Sequence, residues 1–262
     1  MGDTGSRGLP EGPAVSSSAL GLGDRATDTS WAARRRVFLE LGALWLVTLL
    51  LIRGVVAIQS GAGLPDWVLA LVPFLFIYAP VLLCKIRRVD SYGYRLAVPA
   101  FRDVAAWAEG LGMGLRWMAI ILVPWLIAYH LWQTQVFGLT PDWTRWPSDM
   151  ATLVLYQIFF VAIPEEFFYR GYVQTRLNEV FDRKFLLFGI PFGHALWITA
   201  IIFAFGHSIV VLRWWHFAIF FPGLLFGLLR ERTSGIVAGA FFHAACNIVV
   251  VSLDTIYGIV KP

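Results

Sequence analysis

Charge is scarce in this chain. Of its 262 residues only 15% are Asp, Glu, Lys or Arg, while 58% are hydrophobic. Soluble domains carry about 25% charged and 45–50% apolar residues, so the deficit points away from an ordinary soluble domain. Cysteine is nearly absent: Cys84 and Cys246 both lie in apolar runs, which excludes a disulfide framework and a CxxC redox or zinc pair. No internal repeat occurs, and no low-complexity tract outside the first residues. The small net charge of +4 is better read loop by loop than as a nucleic-acid footprint, so no nucleic-acid partner is expected.

What is abundant is apolar sequence, with a mean hydropathy of +0.68, and tryptophan, with 12 residues. Indole rings favour the headgroup level of a bilayer. Residues 1–30 are rich in Gly, Ser, Asp and Thr without apolar periodicity and read as a disordered tail. They lack the order of a signal peptide, because the basic cluster Arg34–Arg36 comes late and no small-residue cleavage site follows the apolar run. Seven apolar segments follow, at 37–58, 66–84, 110–132, 150–170, 193–211, 214–229 and 235–254. At 1.5 Å per residue each suits a hydrocarbon layer of about 30 Å, with 214–229 the shortest. The expectation is an all-α polytopic membrane protein of seven to eight transmembrane helices. Its parts would be a cytoplasmic tail (1–33), N-terminal helices (34–148) and a catalytic C-terminal bundle (149–255).

Loop charge orients these segments. Basic residues gather at Arg34–Arg36, then at Lys85, Arg87, Arg88, Arg95 and Arg102, then at Arg176, Arg183 and Lys184, and finally at Arg230 and Arg232. The intervening loops hold none, Arg145 alone, and Arg213 alone. The positive-inside rule then places the N-terminus in the cytoplasm; Arg53 and Arg116 are expected to snorkel. The loop 133–149, flanked by Trp132 and carrying Trp143 and Trp146, reads as interfacial on the other side. The helix from residue 150 is expected to continue as an amphipathic arm to about Phe181, with a kink at Pro164.

Against this background Ile163-Pro-Glu-Glu-Phe-Phe-Tyr-Arg-Gly171 stands out. A charged group in a membrane helix costs about 2.5–3.5 kcal/mol on insertion scales, so two adjacent carboxylates need a reason. Residues four apart share a helical face, so Glu166 faces Arg170. Glu165, about 100° round the helix, lies over Tyr169 with no local partner. Further polar residues sit in later apolar segments: His207, one turn after Phe203, and His243 and Asn247, which share one face. A desolvated carboxylate can act as a general base, His207 can hold a water beside it, and His243 and Asn247 can donate to a developing oxyanion. His130, His194 and His216 fall at segment ends and read as interfacial, Cys246 reads as packing, and Gly223, Gly227, Gly235 and Gly239 suit close helix contact.

Glu165-Glu-Phe-Phe-Tyr-Arg170, Phe203-Ala-Phe-Gly-His207 and His243-Ala-Ala-Cys-Asn247 resemble, in order, the EExxxR, FxxxH and HxxxN motifs of the CAAX-protease and bacteriocin-processing family. These are intramembrane proteases typified by the Rce1-type prenyl protease. The resemblance spans about residues 150–252. It implies Glu165 as catalytic base with His207 beside it, His243 and Asn247 at the oxyanion site, and Glu166 and Arg170 in support. It also implies a glutamic-type endopeptidase with no cofactor, acting on a membrane-anchored protein or peptide substrate within the lipid bilayer. No HExxH is present. The expected location is a bacterial inner (plasma) membrane.

Two alternatives stand beside this reading. One is a zinc metallopeptidase using His207, His243 and a carboxylate. The other is a non-enzymatic membrane protein, such as an immunity factor, scaffold or transporter, in which the polar set is structural. Depth poses a further question. Antiparallel spans put Glu165 toward the cytoplasmic side and His207 toward the opposite end, so the two meet only if the helix at 150–181 sits deeper or the span at 193–211 begins later.

Overall fold

The computed structural model describes residues 28–89, 103–211, 214–233 and 235–260. Most of the expected tail, Arg95, Arg102, Arg213 and the side chain of His216 lie outside the described residues. Among the described residues, seven helices occupy the seven apolar segments: α1 (Trp31–Ala62), α2 (Leu71–Arg87), α3 (Val104–Leu131), α4 (Met150–Asn178), α5 (His194–Val211), α6 (Phe220–Thr233) and α7 (Val237–Ile256). Short 3₁₀ turns lead into α2 and α6, and α3 runs on through Val136 as a wider π-type turn. Five of these, α1 to α4 and α7 with the leading and trailing turns of α2 and α3, are long and apolar enough to cross a membrane. The helices α5 and α6 are shorter. The protein is all-α and polytopic in the membrane.

Local chemistry sets several boundaries. Ser30 caps α1 by accepting from the Ala33 amide, and Gly63, at φ +60°, ends it. Asp103 and Asp149 cap α3 and α4 in the same way, accepting from the amides of Ala106 and Thr152. Asp149 lies outside the membrane-spanning run, and its bonds from the Thr152 hydroxyl and amide hold its carboxyl below the ordinary carboxylate range.

The element absent from the sequence reading is a small antiparallel hairpin, β1 (Phe185–Leu187) and β2 (Ile190–Phe192), paired Phe185 to Phe192 and Leu187 to Ile190. Its turn places Phe188 and Gly189 at φ +51° and +74°, the positive angles of a two-residue hairpin turn. The hairpin brings the chain back from α4 to α5 at the end of the bundle that carries the basic residues.

The outer surface is apolar, with Leu39, Leu50, Leu82, Ile120, Ile127 and Phe221 all more than half exposed, as a lipid-facing surface requires. The interior centres on α4. Its second half was expected to be an amphipathic arm; instead, residues 168–177 are all buried. Charged residues here point inward because the bundle, not the lipid, holds their partners. Glu40 of α1 receives Arg176 at 3.1 Å and the Tyr172 hydroxyl at 2.8 Å, and pairs with Arg87 at 3.4 Å. Glu231 of α6 receives Gln174 and Asn178 from α4 and Arg183 from the connection. Arg53, expected to snorkel, instead donates to the Val210 carbonyl at the end of α5.

This deep placement answers the question of depth. Glu165 lies thirteen residues before the end of α4 at Asn178, and His207 thirteen residues after the start of α5 at His194. In an antiparallel pair joined by a short hairpin, equal lengths put both at one level, about 20 Å from the basic end.

Candidate active site

Pro164 cannot donate a backbone hydrogen bond, and the helix widens into π-type turns on both sides of it, at Gln157–Ala162 and Phe167–Gln174. The Ile163 amide accordingly reaches back to the Ile158 carbonyl. Such widened turns inside α-helices recur at functional sites. Between them stand Glu165 and Glu166, whose side chains diverge because neighbours on a helix point about 100° apart.

Glu166 is fully buried and fixed. Its Oε1 accepts from Arg170 Nη1 at 2.9 Å and lies 3.2 Å from His243 Nδ1. Arg170, also fully buried, donates through Nη2 to the Gly223 carbonyl at 2.9 Å and stacks over the rings of Phe203 and Phe226, 4.3 and 5.0 Å from its Cζ. Cation–π contact and two charge-assisted hydrogen bonds offset the desolvation of the guanidinium. Two glycines make room for this. A Cβ at Gly239 would lie 2.9 Å from Glu166 Oε2, and one at Gly223 would lie 3.2 Å from the Phe203 ring. Gly227 likewise faces Leu196 and Gln174, whereas Gly235 meets only the backbone of Thr233. Gly110 and Gly114 of α3, against Val237 and Phe241 of α7, make a close crossing that the sequence reading passed over.

Glu165 differs. Its side chain is 13% exposed where that of Glu166 is fully enclosed, and its Oε2, like Glu166 Oε2, has no hydrogen bond. That oxygen lies 3.5 Å from His207 Nε2 and 3.8 Å from His243 Nε2. Each imidazole is oriented from its other nitrogen. His207 Nδ1 sits 3.0 Å from the Phe203 carbonyl, which can only accept, so this nitrogen carries the proton. His243 Nδ1 faces Glu166, and its ring stacks on Phe226 with centroids 4.6 Å apart. Phe203 touches both imidazoles, at 4.5 and 5.9 Å between centroids, and wedges against Tyr169 at 4.9 Å. The structure thus gathers Glu165, Glu166, Arg170, His207 and His243 from α4, α5 and α7.

Asn247 is placed differently. One turn beyond His243, its Nδ2 donates to Gln157 Oε1 at 2.9 Å and to neither carboxylate. Gln157 is a residue the sequence reading missed, although a signal was there: it is the only amide in the apolar run Ala151–Ile163, eight positions before Glu165. Tyr169 was noted only as a neighbour. A Cβ at Gly206 would lie 2.8 Å from its hydroxyl and 3.6 Å from Trp45 Nε1, so glycine before His207 lets both side chains approach α5. Of the other histidines, His130 faces the Tyr257 hydroxyl at the opposite end of the bundle, and His194 is exposed at the start of α5. Among the described residues no three His, Cys, Asp or Glu side chains gather as a metal-ligand group.

These features define a polytopic membrane protein with a carboxylate–histidine cluster at the heart of its helix bundle. Comparison with known families supplies the class. Residues 147–249, about two-fifths of the chain, match the family model described as type II CAAX prenyl endopeptidase Rce1-like. Over this stretch the chain is similar to the Rce1-like family of CAAX endopeptidases, and the likeness supports protease activity of that type. No curated protein and no solved structure gives a match.

Proposed function

We propose that the protein hydrolyses a peptide bond of a membrane-tethered protein or peptide by a glutamate-activated water, without a covalent intermediate. The observation that carries this reading is the unpartnered, largely buried Glu165 Oε2, with the Nε2 atoms of two histidines 3.5 and 3.8 Å away. When neutral, His207 presents a bare Nε2 toward a carboxylate that also only accepts. A water between them donates one hydrogen to each, which holds its lone pair outward for attack. Glu165 takes the proton as the water oxygen bonds to the scissile carbonyl carbon. The proton then passes to the amine nitrogen as the C–N bond breaks.

The oxyanion is received by His243 and Asn247. Glu165, Glu166 and Arg170 together carry one net negative charge when ionised. A proton on His243 cancels it and equips Nε2 to donate, while Nδ1 donates to Glu166. Asn247 has a second Nδ2 hydrogen beyond the one given to Gln157. In this reading the reaction needs no metal, and the basic end of the bundle faces the cytoplasm.

The test uses the purified protein with a membrane-tethered peptide, measuring turnover, affinity and bound metal. Glu165→Gln is expected to abolish cleavage while leaving unfolding near wild type. Full activity in Glu165→Gln overturns the mechanism. Metal lost on His243→Ala, together with near-normal turnover in Asn247→Ala, replaces it with the zinc metallopeptidase.

A further inference from the structure

A second concave site lies at the basic end of the bundle, roughly 20 Å along α5 from the carboxylates. It is a cavity of about 450 Å³ lined by Arg34, Asp182, Lys184 and His194, with Phe181, Trp197 and Ile198 as its apolar wall. We propose that it binds the headgroup of an anionic phospholipid, whose acyl chains lie along α5.

The polar half fits a phosphate. Arg34 is held in place: its Nε donates to the Val180 carbonyl at 3.3 Å, and its Cζ lies over the Phe181 ring at 5.0 Å. That fixes the guanidinium plane from one side. Lys184 Nζ lies 3.7 Å from the Asp182 carboxylate in an exposed pair, which is worth little in water and leaves both Arg34 and Lys184 able to meet a phosphate. His194 stands between the edges of Phe181 and Phe185, with centroids 5.9 and 5.3 Å away, and adds a ring N–H. It is also the first residue of the eighteen-residue α5, whose positive end adds to the field.

The apolar half fits acyl chains. Trp197, on the cavity wall, begins a row of exposed side chains four apart on α5: Trp197, Ile201, Phe205 and Ile209, each about two-fifths exposed or more. Residues four apart share a helical face, so the row runs down one side of the helix from the cavity toward the membrane interior. A cationic mouth opening onto an apolar groove matches an anionic amphiphile; a free anion would need only the mouth. The hairpin tip beside it, Leu186 and Phe188, is also exposed and apolar, which puts this end at the headgroup level.

Basic side chains near an anionic membrane surface each contribute about fivefold in binding, so two contribute about thirtyfold. The experiment is native mass spectrometry of the full chain in neutral detergent with equimolar phosphatidylglycerol and phosphatidylcholine. Wild type is expected to retain phosphatidylglycerol selectively. The double variant Arg34→Gln, Lys184→Gln is expected to retain about thirtyfold less; glutamine keeps a side-chain donor for the Val180 carbonyl. The equally charge-depleted control Arg35→Gln, Arg232→Gln, outside the cavity, is expected to stay within a few-fold of wild type. Three results overturn the proposal: no preference for phosphatidylglycerol in wild type, equal loss in both double variants, or displacement of the lipid by inorganic phosphate at matched concentration, which would mark a free-anion site. Displacement by a peptide with a free C-terminal carboxylate, and not by its amide, would reassign the cavity to substrate. The wild-type arms stand even where the double variant fails to fold.

Discussion

Arg170→Met isolates the energetics of the buried pair. Glu166 and Arg170 are both fully buried, 2.9 Å apart. Removing the cation leaves Glu166 with His243 Nδ1 as its remaining polar neighbour, strips the Gly223 carbonyl of its side-chain donor, and takes away the group stacked between Phe203 and Phe226. An uncompensated buried charge costs about 3–5 kcal/mol, which is about a hundredfold to several-thousandfold in the unfolding equilibrium. The compensating variant is Glu166→Gln in the same chain. It removes the stranded charge, keeps an acceptor for His243, and leaves two side chains of nearly native volume. Replacing a buried ion pair by uncharged residues is often neutral or better, while the hydrogen bond lost at the Gly223 carbonyl, which remains within its helix, costs about 0.5–1.5 kcal/mol. The double variant should therefore recover to within about 1.5 kcal/mol of wild type and be more stable than Arg170→Met alone. The assay is reversible unfolding in mixed micelles titrated with a denaturing detergent. The reasoning fails if Arg170→Met unfolds where wild type does, or if adding Glu166→Gln lowers stability further.

Other outcomes follow from the same geometry. Asn247→Ala should cut turnover about 100–1000-fold with little change in substrate affinity. Gln157→Ala should lower turnover less, and adding it to Asn247→Ala should cost almost nothing more, since the two amides act as one unit; steady-state kinetics on the three variants checks this. Gly239→Ala should impair folding and activity together, because the new methyl would lie 2.9 Å from Glu166 Oε2; normal expression and turnover would show that α7 can shift. The Asp149 cap carries a pH signature. Its folded carboxyl titrates below the ordinary value, through the bonds from Thr152, so its contribution is complete above about pH 3.9 and fades as the pH falls through the folded value. Asp149→Asn should keep the cap and remove that acid-side loss, as read from unfolding against pH.

The helices were legible because lipid imposes a simple code. An apolar run long enough to cross must be helical, since its backbone has no other partner in hydrocarbon. The seven segments follow from this, as does the pairing of Glu166 with Arg170, which is local. What escaped the sequence reading is non-local. The continuation of the helix beyond the span at 150–170, to about Phe181, reads as an amphipathic arm, because its polar residues suggest water. Residues 168–177 are instead the longest continuously buried stretch among the described residues, since Glu40, Glu231 and the carbonyls of α6 satisfy their polar groups from elements more than forty residues away. The hairpin was missed because Phe185-Leu-Leu and Ile190-Pro-Phe192 are too short to show a period. Gln157 was missed because its partner Asn247 is ninety residues distant.

The arrangement also explains how two adjacent carboxylates can have different fates. Side chains one residue apart on a helix diverge by about 100°, so one bundle can enclose Glu166 completely while Glu165 looks along the helix surface toward α5. Enclosure gives Glu166 a guanidinium at 2.9 Å and an imidazole nitrogen at 3.2 Å, and so fixes the carboxyl group against which His243 is oriented. The same enclosure brings that imidazole's far nitrogen to 3.8 Å from Glu165. Moving Glu166 would therefore disturb Glu165's surroundings without touching it, whereas neutralising Glu165 leaves every bond of the buried pair in place. Loss of activity with loss of stability at Glu166, and loss of activity without it at Glu165, is the pattern that this division of labour requires.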